Sequence, residues 1–138
     1  MTVPNTFIEK QCSSVRASLT DILAWKWDDR FGLARAEFKV KDADTVRIAI
    51  LKELPIEWDH TTIQKASGNI RKIANSMGGI GKGQILFSAE PENSVTLFCA
   101  WWPWGDEETV SVRIGFRHED DSVNTPEFVS GIRKSFDI

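Results

Sequence analysis

The stretch that decides the fold is SVTLFCAWWPWGDEETVSVRIGF, residues 94–116. On both sides of its middle, apolar side chains alternate with small or polar ones, which is typical of half-buried β-strands. Pro103 ends the first of these strands, because proline donates no hydrogen bond to a sheet. The sequence therefore predicts strands over 94–102 and 109–116 that pair as an antiparallel hairpin.

The alternation assigns each aromatic ring of this hairpin to a face. With Trp102 opposite Thr109, one face is apolar throughout and is expected to be core. It carries Val95, Leu97, Cys99, Trp101, Val110, Val112, Ile114 and Phe116. The other face is small and polar apart from Phe98 and Trp102, and Trp104 lies in the turn. We therefore expect Trp101 to be buried and Trp102 to point to the opposite side.

The candidate binding residues are the rings that this register leaves outside the core, together with two arginines. If open to solvent, Phe98, Trp102 and Trp104 form an aromatic patch beside Arg113 and Arg47, and such patches often mark partner or ligand surfaces. An arginine over an exposed aromatic face adds about 0.5–1 kcal/mol. Three interpretations stay open. The rings are structural and lie under a helix or loop, they mediate self-association, or they bind a foreign partner or ligand.

Outside the hairpin, apolar spacing predicts three helices. The first has Thr6 and Glu9 at capping-box spacing, the second begins at Thr61, and the last begins at Thr125 with Pro126 as its first helical residue. Gly78 and Gly79 are expected to end the second helix. Alternating patterns predict further strands over 33–40, 45–52 and 84–89.

The strands over 33–40 and 45–52 are expected to form a second hairpin with the turn 42–44. This register places Val46, Ile48 and Ile50 opposite Val40, Phe38 and Ala36. A shift of one residue would bury charge. The opposite face is expected to be solvated, and it carries Arg35, Glu37, Lys39, Thr45 and Arg47.

The resulting element order, αββαβββα, is expected to form a single domain over residues 1–138. Short connections within runs of strands favour antiparallel pairing, and separate helices favour an α+β fold. We expect a two-layer structure in which three helices pack on one face of a mainly antiparallel five-stranded sheet. The order is similar to that of secretion-chaperone-like folds, which also flank a small antiparallel sheet with helices.

Composition and motifs argue against several function classes. The 138 residues carry a formal net charge of −3, so nucleic acid is not the expected partner. In SMGGIGKGQ (76–84), Ser76 and Gly83 replace residues that a phosphate-binding P-loop requires. We find no diagnostic catalytic, metal or nucleotide motif and predict no catalytic residue, cofactor or metal. The sequence shows neither a signal-peptide pattern nor a long apolar run, so we expect a cytoplasmic protein without a membrane partner.

The sequence predicts a non-enzymatic binding module of the chaperone, inhibitor or adaptor type. It is expected to act on a protein partner or on a second copy, through the open sheet face and the 98–104 hairpin. The alternative is a small-ligand-binding domain, or an unrecognised enzyme, with an aromatic pocket near Trp102 and Trp104. Arg47 and Arg113 then favour an anionic or aromatic ligand. A protein-binding site is expected to be flat and wide, whereas a ligand site is expected to be concave.

Overall fold

The computed structural model describes residues 5–19, 23–120, 122–123 and 126–138, without the side chains of residues 5, 6 and 127. These ranges form an α+β fold with one antiparallel sheet of six strands and four helices. The helices are α1 (Asn5–Leu19), α2 (Ala43–Glu53), α3 (Gly68–Ser76) and α4 (Pro126–Phe136). The strands are β1 (Lys26–Asp28), β2 (Leu33–Lys39), β3 (Ile56–Trp58), β4 (Ile85–Ser88), β5 (Val95–Pro103) and β6 (Thr109–His118). They lie in the order β1-β2-β6-β5-β4-β3. Within the described part of the chain, every helix is too short or too polar to cross a membrane.

The hairpin of β5 and β6 confirms the predicted strands and faces but not the predicted register. Trp102 lies opposite Ser111 rather than Thr109. Because side chains alternate with a period of two, a shift by two residues leaves each of them on its predicted face. Trp101 is therefore buried in the main core, as expected, and Trp102 lies on the other side of the sheet.

The predicted strand over 45–52 is wrong, because this segment forms α2. The predicted turn is a 3₁₀ turn (Val40–Asp42) that leads directly into the helix. Val46, Ile50 and Leu54 are buried at helical spacing, whereas Ile48 is 61% exposed. The apolar residues at 46, 48 and 50 imitate a strand pattern, but the buried residues of α2 are Val46, Ala49 and Ile50, which follow helical spacing. Consequently β2 pairs with β6 and β1 instead of with residues 45–52.

The second predicted helix begins later than Thr61. Residues Ile63–Lys65 form a 3₁₀ turn, and α3 begins after Ser67, whose hydroxyl accepts the N–H of Ile70. Gly78 and Gly79 end α3 as predicted. Both have a positive φ, and the Gly79 N–H returns to the carbonyl of Ala74.

Pro126 is the first residue of α4, as predicted. The expected role of Thr125 lies outside the described residues, and the proposed capping by Thr6 depends on a side chain outside them.

The helices cover both faces of the sheet, which corrects the expected two-layer arrangement. α1, α2 and α4 pack on one face, and the main core there includes Phe87, Cys99 and Ile114. α3 packs on the other face over Leu33, Leu86 and Phe98. The apolar side of α3 has to be buried, and the face that we expected to be open provides the apolar surface for it.

Candidate ligand-binding groove

The structure separates the residues that were predicted to bind. Phe98 is only 5% exposed beneath α3, which agrees with the structural interpretation that the sequence leaves open for this ring. Trp104 is 44% exposed in the turn between β5 and β6. Arg47 lies on α2, which packs on the opposite face of the sheet from Trp102, and it donates two hydrogen bonds to the Glu57 carboxylate. Arg47 therefore does not join the aromatic rings.

Trp102 and Arg113 are brought together in a cavity of about 230 Å³, whose other lining residues are Arg30, Phe31 and Met77. A second cavity of about 390 Å³ shares Arg30, Phe31 and Met77 with it. We call the two cavities together the Phe31 groove. Its larger part is lined by Arg30 and Arg117 together with apolar side chains of α3, α4 and the sheet, among them Ile73, Phe98, Phe116, Phe128, Val129 and Ile132.

Asp28 shapes the turn that carries Arg30 and Phe31 into this groove. Its carboxylate accepts the N–H groups of Arg30 and Phe31 at 3.0 and 3.4 Å, and its carbonyl accepts the N–H of Gly32 at 2.8 Å. Gly32 has a φ of +67°, in the left-handed region that glycine adopts without strain. The turn therefore holds the Phe31 ring at the boundary between the two cavities.

Two guanidinium groups lie against the Phe31 ring. Their central carbons are 5.0 Å (Arg30) and 5.5 Å (Arg113) from the ring centroid, within the range of cation–π attraction. The Nε of Arg113 donates to Asp28 at 2.8 Å and its Nη1 donates to Ser111 at 3.1 Å. These contacts use two of the three guanidinium nitrogens, so the described residues leave Nη2 of Arg113 for a ligand.

The carboxylate of Asp28 stays ionised at neutral pH. Burial alone would raise its pKa, but the pKa is lowered below its ordinary value by stronger opposing effects. These are the hydrogen bonds from Arg113 and from the N–H groups of Phe31 and Arg30, together with the charge of Arg113. Asp28 therefore neutralises Arg113 in part, and it keeps this arginine in a fixed position.

Three cations lie side by side on neighbouring strands, and one of them, Arg113, lines the groove. Lys26 of β1 lies opposite Arg35 of β2, and Arg35 lies opposite Arg113 of β6. Directly opposed residues point to the same face of a sheet, and like charges in such positions destabilise it. Carboxylates partly compensate two of the cations, with Glu37 at 3.6 Å from Arg35 and Asp28 at 2.8 Å from Arg113. We call Lys26, Arg35 and Arg113 the basic row.

The groove offers contacts for binding rather than groups for acid–base or nucleophilic chemistry. The described residues that line it include no His, Cys, Asp, Glu or Lys, and the Ser76 hydroxyl donates to the carbonyl of Ile73. The two thiols lie in the main core, and burial raises the pKa of Cys12 to about 12 and raises that of Cys99 as well. Within the described ranges, no three His, Cys, Asp or Glu side chains come together as metal ligands.

Sequence reasoning missed Arg30, Phe31 and Met77 as groove residues. A signal for the turn is present in WDDRFG (27–32), where an aspartate precedes a glycine by four positions and can cap the turn between them. The pairing of β1 with β2, which completes the basic row, involves only three residues and has no such signal.

Comparison with known proteins gives no further guide, because no protein-family model, curated protein or solved structure matches the chain.

Proposed function

We propose that the protein is a non-enzymatic binding domain whose Phe31 groove takes a small amphipathic anion, such as an aromatic carboxylate. The observation that carries this proposal is the basic row beside an aromatic-lined concavity. Three aligned cations cost stability in the free protein. An anion at the mouth of the groove offsets that cost, so the arrangement favours binding of negative charge.

The charged part of the ligand is assigned to the smaller cavity. Arg30 is exposed, and Arg113 is held in place by Asp28 and Ser111. A guanidinium group binds a carboxylate or phosphate through paired N–H donors, which gives orientation as well as affinity. A prepositioned arginine loses little freedom on binding.

The apolar part of the ligand is assigned to the larger cavity. Phe98, Phe116 and Phe128 contribute to its walls, and its volume of about 390 Å³ falls in the range of small-molecule sites. A concave site favours a small ligand, the alternative function from the sequence, over the flat surface expected for a protein partner.

Calorimetric titration with 2-naphthoate and its neutral amide, 2-naphthamide, tests the proposal. The two probes share shape and differ in charge. We expect the carboxylate to bind at least tenfold more tightly, a difference of about 1.4 kcal/mol or more. Arg30→Gln is expected to remove most of this preference for the carboxylate. Trp102→Ala is expected to lower the affinity for both probes.

Lys10→Gln is the matched control, because Lys10 is an exposed cation on α1, which packs on the other face of the sheet. Its binding is expected to equal that of the wild type. Failure of both probes to bind, or equal affinity for the acid and the amide, contradicts the proposal. If Lys10→Gln and Arg30→Gln lose the same affinity for 2-naphthoate, the anion does not bind beside Arg30 as proposed.

A further inference from the structure

The turn between β5 and β6 presents a second apolar feature at one end of the sheet. Trp104 in this turn and Val40 after β2 are 44% and 45% exposed. The Val40 N–H donates to the carbonyl of Glu108, and the Trp104 N–H donates to the carbonyl of Thr109, both at 2.8 Å. Both residues are therefore anchored to the same end of β6, one on each side of it.

Asp106 caps the turn with hydrogen bonds. Its carboxylate accepts the N–H groups of Glu108 and Thr109 at 2.9 and 3.0 Å, and it accepts the Thr109 hydroxyl at 2.9 Å. Trp104 thus projects from an ordered turn. A side chain presented in this way loses less conformational entropy on association than one on a mobile loop.

An open depression of about 420 Å³ belongs to the same end of the sheet. It is lined by Lys39, Val40 and Lys41 from the end of β2 and the residues after it, and by Glu107 and Glu108 from the turn before β6. We call these five residues and Trp104 the turn patch. The patch carries a projecting ring, an exposed valine and both signs of charge, so a twofold rotation can place unlike charges of two copies opposite each other.

We propose that the turn patch binds a second copy of this chain. Trp104 of each copy seats against Val40 of the other, and the lysines of one copy face the glutamates of the other. Tryptophan is enriched among the residues that dominate interface energies. The patch is small, and small interfaces are typical of weak, reversible complexes. The proposal is independent of the Phe31 groove, with which the turn patch shares no residue.

Sedimentation velocity from micromolar to millimolar concentration tests the apolar contact. We expect the wild type to form a dimer in reversible equilibrium with monomer, and we expect Trp104→Ala to raise the dissociation constant at least tenfold. Ile48→Ala is the matched control, because it truncates an exposed apolar residue of α2 outside the patch, and its dissociation constant is expected to be unchanged. A wild type that stays monomeric throughout, or a dimer indifferent to Trp104→Ala, overturns the proposal.

A charge exchange tests the orientation of the two copies. One variant carries Glu107→Lys and Glu108→Lys, and the other carries Lys39→Glu and Lys41→Glu. Each is expected to be monomeric alone, because like charges meet in its dimer, and a mixture of the two is expected to form a heterodimer. Unchanged circular dichroism and melting temperature show that each variant is folded. If folded variants dimerise alone, or if the mixture stays monomeric, the proposed contact is wrong.

Discussion

The two faces of the sheet differ in how completely they are covered. On one face, α1, α2 and α4 bury an apolar surface that runs from β2 across β6 and β5 to β4. On the other face, α3 covers Leu33, Leu86 and Phe98, and the neighbouring part of β1, β2 and β6 carries the basic row instead. The first face carries most of the buried apolar surface, and Phe116, Phe128 and Ile132 of its core also line the larger cavity. On the second face, one part of the sheet is packed under α3 and another part carries charge, and the Phe31 groove extends from there to α4.

The two faces of the sheet differ in how far helices cover them and in how much charge they carry, and both differences coincide at the candidate site. A solvated cation by itself is an ordinary surface feature. Like charges in direct cross-strand positions destabilise a sheet, and Arg113, at one end of the basic row, lines the smaller cavity. Substitutions in the core of the first face are therefore expected to cause the larger losses of stability.

The largest effect is expected for Phe87→Ala on the fully covered face. Phe87 is fully buried, and its ring lies 5.9 Å from that of Trp101. Truncation leaves a cavity, so we expect the free energy of unfolding to fall by about 3–5 kcal/mol. Trp102→Ala, which truncates a half-buried ring on the other face, is expected to cost less than half as much. Urea denaturation measures both values, and equal losses contradict the division between the faces.

The next largest loss of stability is expected for Gly115→Ala, which disturbs the packing beneath α3. A Cβ at this position would lie 2.2 Å from Cδ2 of Leu33 and 3.0 Å from Cζ of Phe98. Both side chains have to move, so we expect a loss of about 1–3 kcal/mol in the free energy of unfolding. Gly68→Ala is the control, because a Cβ there meets nothing within 4 Å. If both variants are equally stable in urea, Leu33 and Phe98 do not pack as described.

The difference between the faces also explains which parts of the fold the sequence predicts. The face assignment of β5 and β6 is correct despite the wrong register, because alternation records the face of a residue but not its partner. The apolar residues at 46, 48 and 50 fit a strand, whereas the residues of α2 that are buried, Val46, Ala49 and Ile50, follow helical spacing. Which of these sets is buried depends on packing against the core, which local periodicity does not record.

The candidate site was less accessible to sequence reasoning than the fold. Trp102 and Arg113 share a cavity because their side chains lie on one face of neighbouring strands, which the alternation predicts. Phe31 and Met77 reach the cavity from a turn and from the end of a helix, and their approach depends on the packing of α3. Phe98 is buried for the same reason. The position of α3 over the second face depends on tertiary packing, which no local sequence pattern records.

Asp28→Asn is expected to have a smaller, pH-dependent effect. Because the pKa of Asp28 is lowered in the folded state, its contribution to stability is present above its ordinary pKa, about 4, and is lost as the pH falls through the folded value. At pH 7 the variant is expected to lose about 1–2 kcal/mol, since a charge-assisted hydrogen bond becomes a neutral one. Urea denaturation near pH 7 and below pH 3 measures the gap between variant and wild type. A gap of the same size at both pH values contradicts the ionised pair with Arg113.

The smallest effect, and the sharpest for the proposed function, is expected for Lys26→Gln. Lys26 stands at the end of the basic row, opposite Arg35. Its removal relieves repulsion, so we expect the free energy of unfolding to rise by a few tenths of a kcal/mol. The same change removes positive charge near the groove, so the affinity for 2-naphthoate is expected to fall about twofold. Lys10→Gln on α1 is expected to change neither quantity. A variant that is more stable than the wild type but binds the ligand less tightly identifies a residue that serves binding although it destabilises the fold. If Lys26→Gln lowers both stability and affinity, or raises stability without changing affinity, the basic row does not contribute to ligand binding in the groove.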